Sequence, residues 1–316
     1  MITALQIIGG LVLLFVGGEV LVRGAVALAR DLGLSAFVIG MTVVAYGTSS
    51  PELIISVQSA FNGFSDIAIG NVVGSNISNI LCVLGLSALI FPIAIDKKAG
   101  LRDGVVLLGS TILLLIFALT GKIGLIAGLV FSAALIIYTY MIFKKARKEK
   151  NALAAAATEE IESEIKLKLN LWQAGLLCLA GIGLLILGAD VLIKGATTLA
   201  LAFGISEATI GVTIIAFGGS VPELVTSLMA AFHRRSDIAL GNVIGSNMFN
   251  VMGVMGITGV ISPINIDQRF INFDLPILIL VTAILLGLIY FAPRINRIFG
   301  AIFFGGYIAY ILPQFV

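Results

Sequence analysis

Charge is scarce in this chain of 316 residues: only 11% are Asp, Glu, Lys or Arg. A soluble globular domain carries about 25%. Hydrophobic residues make up 59%, and mean hydropathy is +1.13. This scarcity excludes an ordinary soluble fold and any broad basic surface for nucleic acid. Histidine occurs once, at His233, and cysteine twice, at Cys82 and Cys178. A disulfide framework and a His/Cys metal centre are therefore both excluded, and the two cysteines read as small buried apolar residues. There is no HExxH motif and no phosphate-binding Gly/Lys loop, which argues against an enzyme. Apolar/polar alternation in segments of about ten residues, the mark of an outer-membrane barrel, is also missing.

What is present is a series of long apolar runs separated by short polar breaks. They predict an all-α polytopic membrane protein with ten spans near 3–29, 36–61, 67–91, 104–120, 123–143, 171–201, 207–232, 238–262, 272–292 and 297–315. The first run lacks the basic start and small-residue cleavage site of a signal peptide. Positive charge collects after the odd-numbered spans: Arg30; Lys97, Lys98 and Arg102; "KKARKEK" from Lys144; Arg234 and Arg235; Arg294 and Arg297. The even loops offer little beyond Lys122 and Arg269. By the positive-inside rule the odd loops are cytoplasmic and both termini lie outside. Residues 144–170, basic then acidic, read as a solvated cytoplasmic linker, partly helical and too short for a domain of its own.

The two halves repeat. A shift of 171 residues aligns Glu19–Asp96 with the second half without a gap. "GLSAFVIGMTVVAYGTSSPEL" from Gly33 meets "GISEATIGVTIIAFGGSVPEL" from Gly204, and "SDIAIGNVVGSNISN" from Ser65 meets "SDIALGNVIGSNMFN" from Ser236. This divides the chain into a first five-helix repeat (1–143, motif 45–79), the linker, and a second repeat (171–316, motif 216–250). An odd number of spans per copy means that the copies insert in opposite orientation. Inverted repeats characterise secondary transporters, whose substrate site lies at the midplane between them.

Each motif places a glutamate after a proline inside an apolar span: Glu52 after Pro51, and Glu223 after Pro222. An ionised side chain at mid-membrane depth costs about 2.5–3.5 kcal/mol, so a carboxylate kept there calls for a cation, a proton or an aqueous cavity. The alternative is a protonated glutamate satisfied by a neighbouring helix. Pro51 and Gly47 disturb the helix and free backbone carbonyls, those of Ala45 and Thr48 being the best placed. Thr48 and Ser49 add hydroxyls, and the second copy offers Ala216, Gly219, Ser220 and Glu223. On the next spans Ser75 and Asn79, and Ser246 and Asn250, stand four residues apart on one helix face. Asn71, Asn76, Asn242 and Asn247 add amides that could equally serve as interhelical hydrogen bonds.

All these candidate ligands are oxygens, which suit hard cations such as Ca²⁺ and Na⁺ rather than zinc or copper. Two carboxylates balance one Ca²⁺ or two Na⁺, so the ions compete for one buried charge, and protons compete with both. Outside the motifs, Glu19 with Arg23 and Asp190 with Lys194 read as i,i+4 ion pairs with a gating role as the sharper alternative. Asp66 and Asp237 read as N-terminal helix caps. His233 is expected in a cytoplasmic loop, solvated rather than ligating.

The paired "GTSSPE" and "GGSVPE" segments, each followed by "GNV…GSN…N", resemble the two α-repeats of the cation/Ca²⁺ exchanger superfamily, in its prokaryotic Na⁺/Ca²⁺ exchanger branch. The resemblance implies an antiporter that moves Ca²⁺ outward on Na⁺ entry by alternating access. Its implied core is spans two, three, seven and eight, across which spans one and six slide. It assigns the ion ligands to Ala45, Thr48, Ser49, Glu52, Ser75 and Asn79, and to Ala216, Gly219, Ser220, Glu223, Ser246 and Asn250. Related exchangers often carry threonine where this chain has Gly219. K⁺-dependent relatives typically carry aspartate where it has Asn250, so K⁺-independent exchange is expected. No cofactor and no nucleic-acid partner are expected, only Ca²⁺, Na⁺ and the lipid bilayer around a monomer in a prokaryotic plasma membrane. An H⁺/Ca²⁺ exchanger is the nearest rival, and a Ca²⁺-permeable channel with a glutamate constriction a weaker one.

Overall fold

The computed structural model describes residues 2–156, 170–203 and 218–312, with side chains through residue 146 in the first of these segments. Eleven helices follow in order: α1 Ile2–Leu32, α2 Ala36–Thr48, α3 Ser50–Phe61, α4 Ser65–Ile90, α5 Lys97–Ala118, α6 Leu125–Ala156, α7 Leu171–Ala202, α8 Val221–Phe232, α9 Ser236–Ile261, α10 Phe270–Phe291 and α11 Arg297–Ile311. Seven of the described helices are long and apolar enough to cross a membrane. An eighth span is made if α2 and α3, bent by 43° at Ser49, count as one. The chain is thus an integral membrane protein. The start of the expected seventh span, through residue 217, lies outside the described residues. Helix α6 runs past the expected boundary at 143, so the first part of the linker extends a span.

Among the described residues the fold departs from a purely helical one in four two-residue strands. β1 (Ile93–Ala94) pairs antiparallel with β4 (Arg294–Ile295), and β2 (Lys122–Ile123) with β3 (Ile264–Asn265). Each ribbon joins one half of the chain to the other and satisfies backbone groups at helix ends. Burial identifies the centre: 78% of the apolar window of α4 and of α9 is buried, against 28–44% for the other five long helices. Of the implied core, spans three and eight (α4 and α9) are therefore central. Helix α5 packs on α10, the end of α4 on α11, and the end of α9 on α6.

Helices α1 and α7 lie along one another. Their approach requires glycine: a Cβ at Gly10 would stand 2.7 Å from the backbone nitrogen of Leu192, and one at Gly181 would stand 2.6 Å from that of Leu21. Glycines recur every seventh residue on both helices, at 10, 17 and 24 and at 181, 188 and 195, so the seam runs along the pair. The start of α9 meets α2 equally closely, and a Cβ at Gly245 would lie 2.1 Å from the Met41 carbonyl oxygen. Short π-helical turns interrupt α2 (Gly40–Val44), α4 (Asn79–Val83), α9 (Phe249–Val254) and α10 (Phe270–Asp274). Such turns gather near functional sites, because the extra residue re-aims the face that follows.

The central amides stitch the halves together. Asn76 Nδ2 donates to the Asn247 carbonyl at 3.2 Å, and Asn247 Nδ2 donates to the Asn76 carbonyl at 3.2 Å. Asn71 Nδ2 binds the Glu52 carbonyl (3.0 Å) and Ser56 Oγ (2.9 Å), and Asn242 Nδ2 binds the Glu223 carbonyl (3.3 Å) and Ser227 Oγ (3.1 Å). Of the two roles open to these amides, the interhelical one is realised. A thermal-unfolding double-mutant cycle on Asn76→Ala and Asn247→Ala should return a coupling of about 0.6 kcal/mol, with an upper bound near 1.7. Strict additivity would mean that the reciprocal bonds contribute nothing.

Two expectations are corrected. Asp66 and Asp237 occupy first turns rather than cap positions; the caps are Phe64 and Arg235, neither with a side-chain cap bond. Asp237 Oδ1 instead accepts from the neighbouring Ile238 N–H at 3.0 Å. Both carboxylates still lie where the helix dipole favours negative charge. His233 does not sit free in a loop: it ends α8, and its Nε2 lies 2.5 Å from Glu19 Oε2 on α1.

A buried carboxylate pair between the halves

Helix α2 ends at Thr48, and Ser49 takes φ −88°, ψ 11°, outside helical geometry. Pro51 then occupies the first turn of α3, where its missing N–H costs nothing. The second copy matches: Ser220 has φ −88°, ψ 3°, and Pro222 opens α8. Glu52 and Glu223 both fall in first turns, where free N–H groups favour a carboxylate, while the end of α2 presents carbonyl oxygens. Ser50 Oγ caps one of these by donating to the Gly47 carbonyl. A helix break of this kind offers negative carbonyls and a carboxylate on either side of one gap.

The two carboxyl groups are sealed from solvent, Glu52 at 1% and Glu223 at 0% exposure, and they interact electrostatically. Ser49 Oγ donates to Glu223 Oε1 at 2.8 Å, reaching from one half into the other. Thr48 Oγ1 lies 3.2 Å from the Ala45 carbonyl and 3.4 Å from Asn242 Oδ1, and Ser246 Oγ lies 3.5 Å from the same Ala45 carbonyl. These contacts bring Ala45, Thr48, Ser49, Glu223 and Ser246 into one cluster. Gly219 faces Glu52, and Ser220, Ser75, Asn79 and Asn250 are buried on the same helices. No direct contact ties Ser75, Asn79 or Asn250 to a carboxylate among the described residues. Ala216 lies outside them.

The cluster has oxygens to spare. Among the described residues, Glu52 Oε2, Glu223 Oε2, Asn79 Oδ1 and Asn250 Oδ1 are buried without a hydrogen-bond partner, as are Asn76 Oδ1, Asn247 Oδ1 and the Asn250 amide nitrogen. Unpaired polar atoms in a protein interior carry a full desolvation cost, so native structures keep few of them. A concentration of four acceptors on facing helices fits a hard cation as the missing partner. Among the described residues no group of three or more His, Cys, Asp and Glu is poised for a metal. The donor set is therefore carboxylate, amide, hydroxyl and carbonyl oxygen. Cys82 and Cys178 are free and buried, as their apolar settings imply.

Two further buried acids escaped the sequence reading. Asp103 on α5 accepts from Tyr138 (2.5 Å) and from Arg102 Nε and Nη2 (2.5 and 2.7 Å). Asp274 on α10 accepts from Tyr310 at 2.8 Å and faces Arg269 Nε at 3.5 Å. The same shift of 171 relates Asp103 to Asp274, a signal that extending the repeat beyond Asp96 could have found. Both are charge-paired and phenol-bonded, and serve to tie neighbouring helices. Tyr138→Phe should lower stability by about 1.5–3 kcal/mol, the usual worth of a hydrogen bond to a charged group. Thermal unfolding in detergent reads this directly, and an unchanged midpoint would refute it.

Duplicated helix breaks, each with a buried glutamate, mark the class of membrane transporters built from two related halves. The family is explicit in the comparisons: the profile described as "Sodium/calcium exchanger protein" matches residues 2–144 and 173–316, and the chain belongs to that family of antiporters. It is 34% identical over 312 residues to the inner membrane protein YrbG of Escherichia coli strain K12, covering 98% of this chain and 95% of the relative. It is 31% identical to the sodium/calcium exchanger MaX1 of Methanosarcina acetivorans, covering 97% and 96%. The solved structure of the sodium-calcium exchanger NCX_Mj soaked with Na⁺ and Sr²⁺ superimposes with a TM-score of 0.84 at 32% identity, over 98% of each chain.

Proposed function

We propose that the chain is a secondary antiporter exchanging Na⁺ for Ca²⁺ by alternating access, extruding Ca²⁺ and independent of K⁺. The observation that carries this reading is the pair of sealed carboxylates, each with one oxygen lacking a hydrogen-bond partner among the described residues. Their combined charge balances one Ca²⁺ or two Na⁺, so either load neutralises the site and an empty site is penalised. That penalty couples the two ions without any further device. The names carried by MaX1 and NCX_Mj agree with it.

In this reading the ions are held by Glu52, Glu223, Thr48, Ser49, Ser220, Ser75, Ser246, Asn79, Asn250 and the backbone oxygens of Ala45, Ala216 and Gly219. The chain crosses the membrane ten times as two inverted five-helix repeats, with both termini outside and residues 144–170 in the cytoplasm of a prokaryote. It works as a monomer and needs no cofactor. Helices α1 and α7 move together across α2, α3, α4, α8 and α9. The reciprocal amide pairs inside that core, and the glycine seam between α1 and α7, support this division into two bodies.

The test is radiolabelled Ca²⁺ uptake into proteoliposomes loaded with Na⁺, beside vesicles holding K⁺ or a pH gradient alone. Uptake is expected only with an outward Na⁺ gradient and unchanged by K⁺. Uptake driven by the pH gradient alone would transfer the protein to H⁺/Ca²⁺ exchange. Protons also compete for the carboxylates, so lowering both faces from about pH 8 to about pH 6 should slow Na⁺-driven uptake. Flux that rises over this interval would count against the cation cage.

A further inference from the structure

Six positions of the proposed cage are matched between the halves by the shift of 171, and five pairs carry the same residue: alanine, serine, glutamate, serine and asparagine. The sixth pair is Thr48 and Gly219. We propose that Gly219 is a specificity-determining residue that weakens Na⁺ relative to Ca²⁺ at the Glu52 end of the cage, an inference that rests on the exchanger reading above.

The geometry places position 219 directly at that end. A Cβ built on Gly219 would stand 3.7 Å from Glu52 Oε1, an ordinary van der Waals contact, and would meet no other atom within 4 Å among the described residues. The backbone there is outside the left-handed region, so an L side chain is tolerated. Glycine is thus not required by backbone conformation or by packing against the described residues. The Oε2 atom of each carboxylate lacks a partner, but Glu223 Oε1 receives the Ser49 hydroxyl at 2.8 Å, and no side-chain hydroxyl bond to Glu52 is found among the described residues. The Thr48 hydroxyl stands on the other side, 3.2 Å from the Ala45 carbonyl. Among the described residues, the hydroxyl that Thr48 supplies in one half has no counterpart beside Glu52, and the space for it is open.

The two ions feel that vacancy differently. Ca²⁺ draws most of its binding energy from double charge against the carboxylates, and accepts six to eight oxygens in flexible geometry with water among them. Na⁺ has half the charge, so neutral oxygens make up a larger share of its hold. An ion beside Glu52 completes its shell with a water at the Gly219 gap, at a greater relative loss for Na⁺. A hydroxyl supplied by the protein would restore Na⁺ with little change for Ca²⁺.

Gly219→Ser adds that hydroxyl, and Gly219→Ala adds only the Cβ that the space accepts, so the pair separates oxygen from bulk. The experiment is equilibrium binding of radiolabelled Ca²⁺ to the purified full chain in detergent, displaced by Na⁺. The serine variant is expected to need about three- to tenfold less Na⁺ for half-displacement than the alanine variant, a change of about 0.7–1.4 kcal/mol. Half-saturation by Ca²⁺ without Na⁺ should differ by less than twofold between them. Equal displacement of both variants, or a gain for Ca²⁺ as large as that for Na⁺, overturns the proposal. The wider reading fails separately: wild-type protein would then show no Ca²⁺ binding that Glu52→Gln removes, and this inference would fall with it.

Discussion

Glu52→Gln and Glu223→Gln are each expected to abolish Na⁺-driven Ca²⁺ uptake while leaving a protein that is at least as stable as the wild type without ions. Glutamine preserves size and hydrogen-bonding shape and removes one unit of charge. At about 4 Å and an effective dielectric near 20, one unit charge attracts another by about 4 kcal/mol, roughly a thousandfold in affinity, and a divalent ion loses more. The stability half of the result has the opposite sign. Two sealed carboxylates facing one another are a cost to the ion-free fold, and neutralising one removes part of it. Uptake in proteoliposomes and thermal unfolding without Na⁺ or Ca²⁺ read the two halves independently. A variant that lost transport through misfolding would lose its unfolding midpoint too. Transport at the wild-type rate would remove that glutamate from the site.

The second large effect is expected at Gly245. Its missing side chain lets α9 meet α2 backbone to backbone, and a Cβ there would lie 2.1 Å from the Met41 carbonyl oxygen and 2.6 Å from the Met41 Cα. Backbone cannot rotate away as a side-chain tip can, so Gly245→Ala must separate two helices of the core. Overpacking of this kind costs about 1–3 kcal/mol, occasionally more. The neighbouring Ser246 is drawn off the Ala45 carbonyl by the same movement. The expected outcome is a lowered unfolding midpoint with transport strongly reduced. Gly109→Ala is the control, since a Cβ on Gly109 meets nothing within 4 Å among the described residues. Equal behaviour of the two variants would show that the close approach is not needed.

The features legible in the sequence were those that the repeat prints twice. Glu52 and Glu223 stood out because an acid in an apolar span is expensive, and a second copy in the same setting removes chance as an explanation. The helix break was also readable, since Pro51 and Pro222 have only a few tolerable places in a helix and both take the first turn. What escaped was contact between residues far apart in the chain. Glu19 and His233 are 214 residues apart, and nothing local to either names the other. Glu19 was correctly paired with Arg23 (2.5 Å), and Asp190 with Lys194 (2.6 Å), because an i,i+4 pair is set by helix geometry alone. Asp103 and Asp274 were hidden for another reason. Helices with a wide lipid-facing surface accept almost any apolar residue, so the repeat fades there although the two acids survive.

The Glu19–His233 contact gives the molecule a front and a back. Its counterpart by the shift of 171 would join Asp190 to Asn62, an amide with no charge to offer. Asp190 and Lys194 stay largely exposed, at 52% and 64%, and pair with each other among the described residues. An acid on α1 is thus clasped to the end of α8, while the matching acid on α7 is half-exposed and paired only with Lys194 of its own helix among the described residues. The two halves share one pattern, yet Glu19, Arg23 and His233 answer by the shift of 171 to Asp190, Lys194 and Asn62, and among the described residues only the first set is joined across the halves. The two ends of the α1–α7 pair are therefore held unequally.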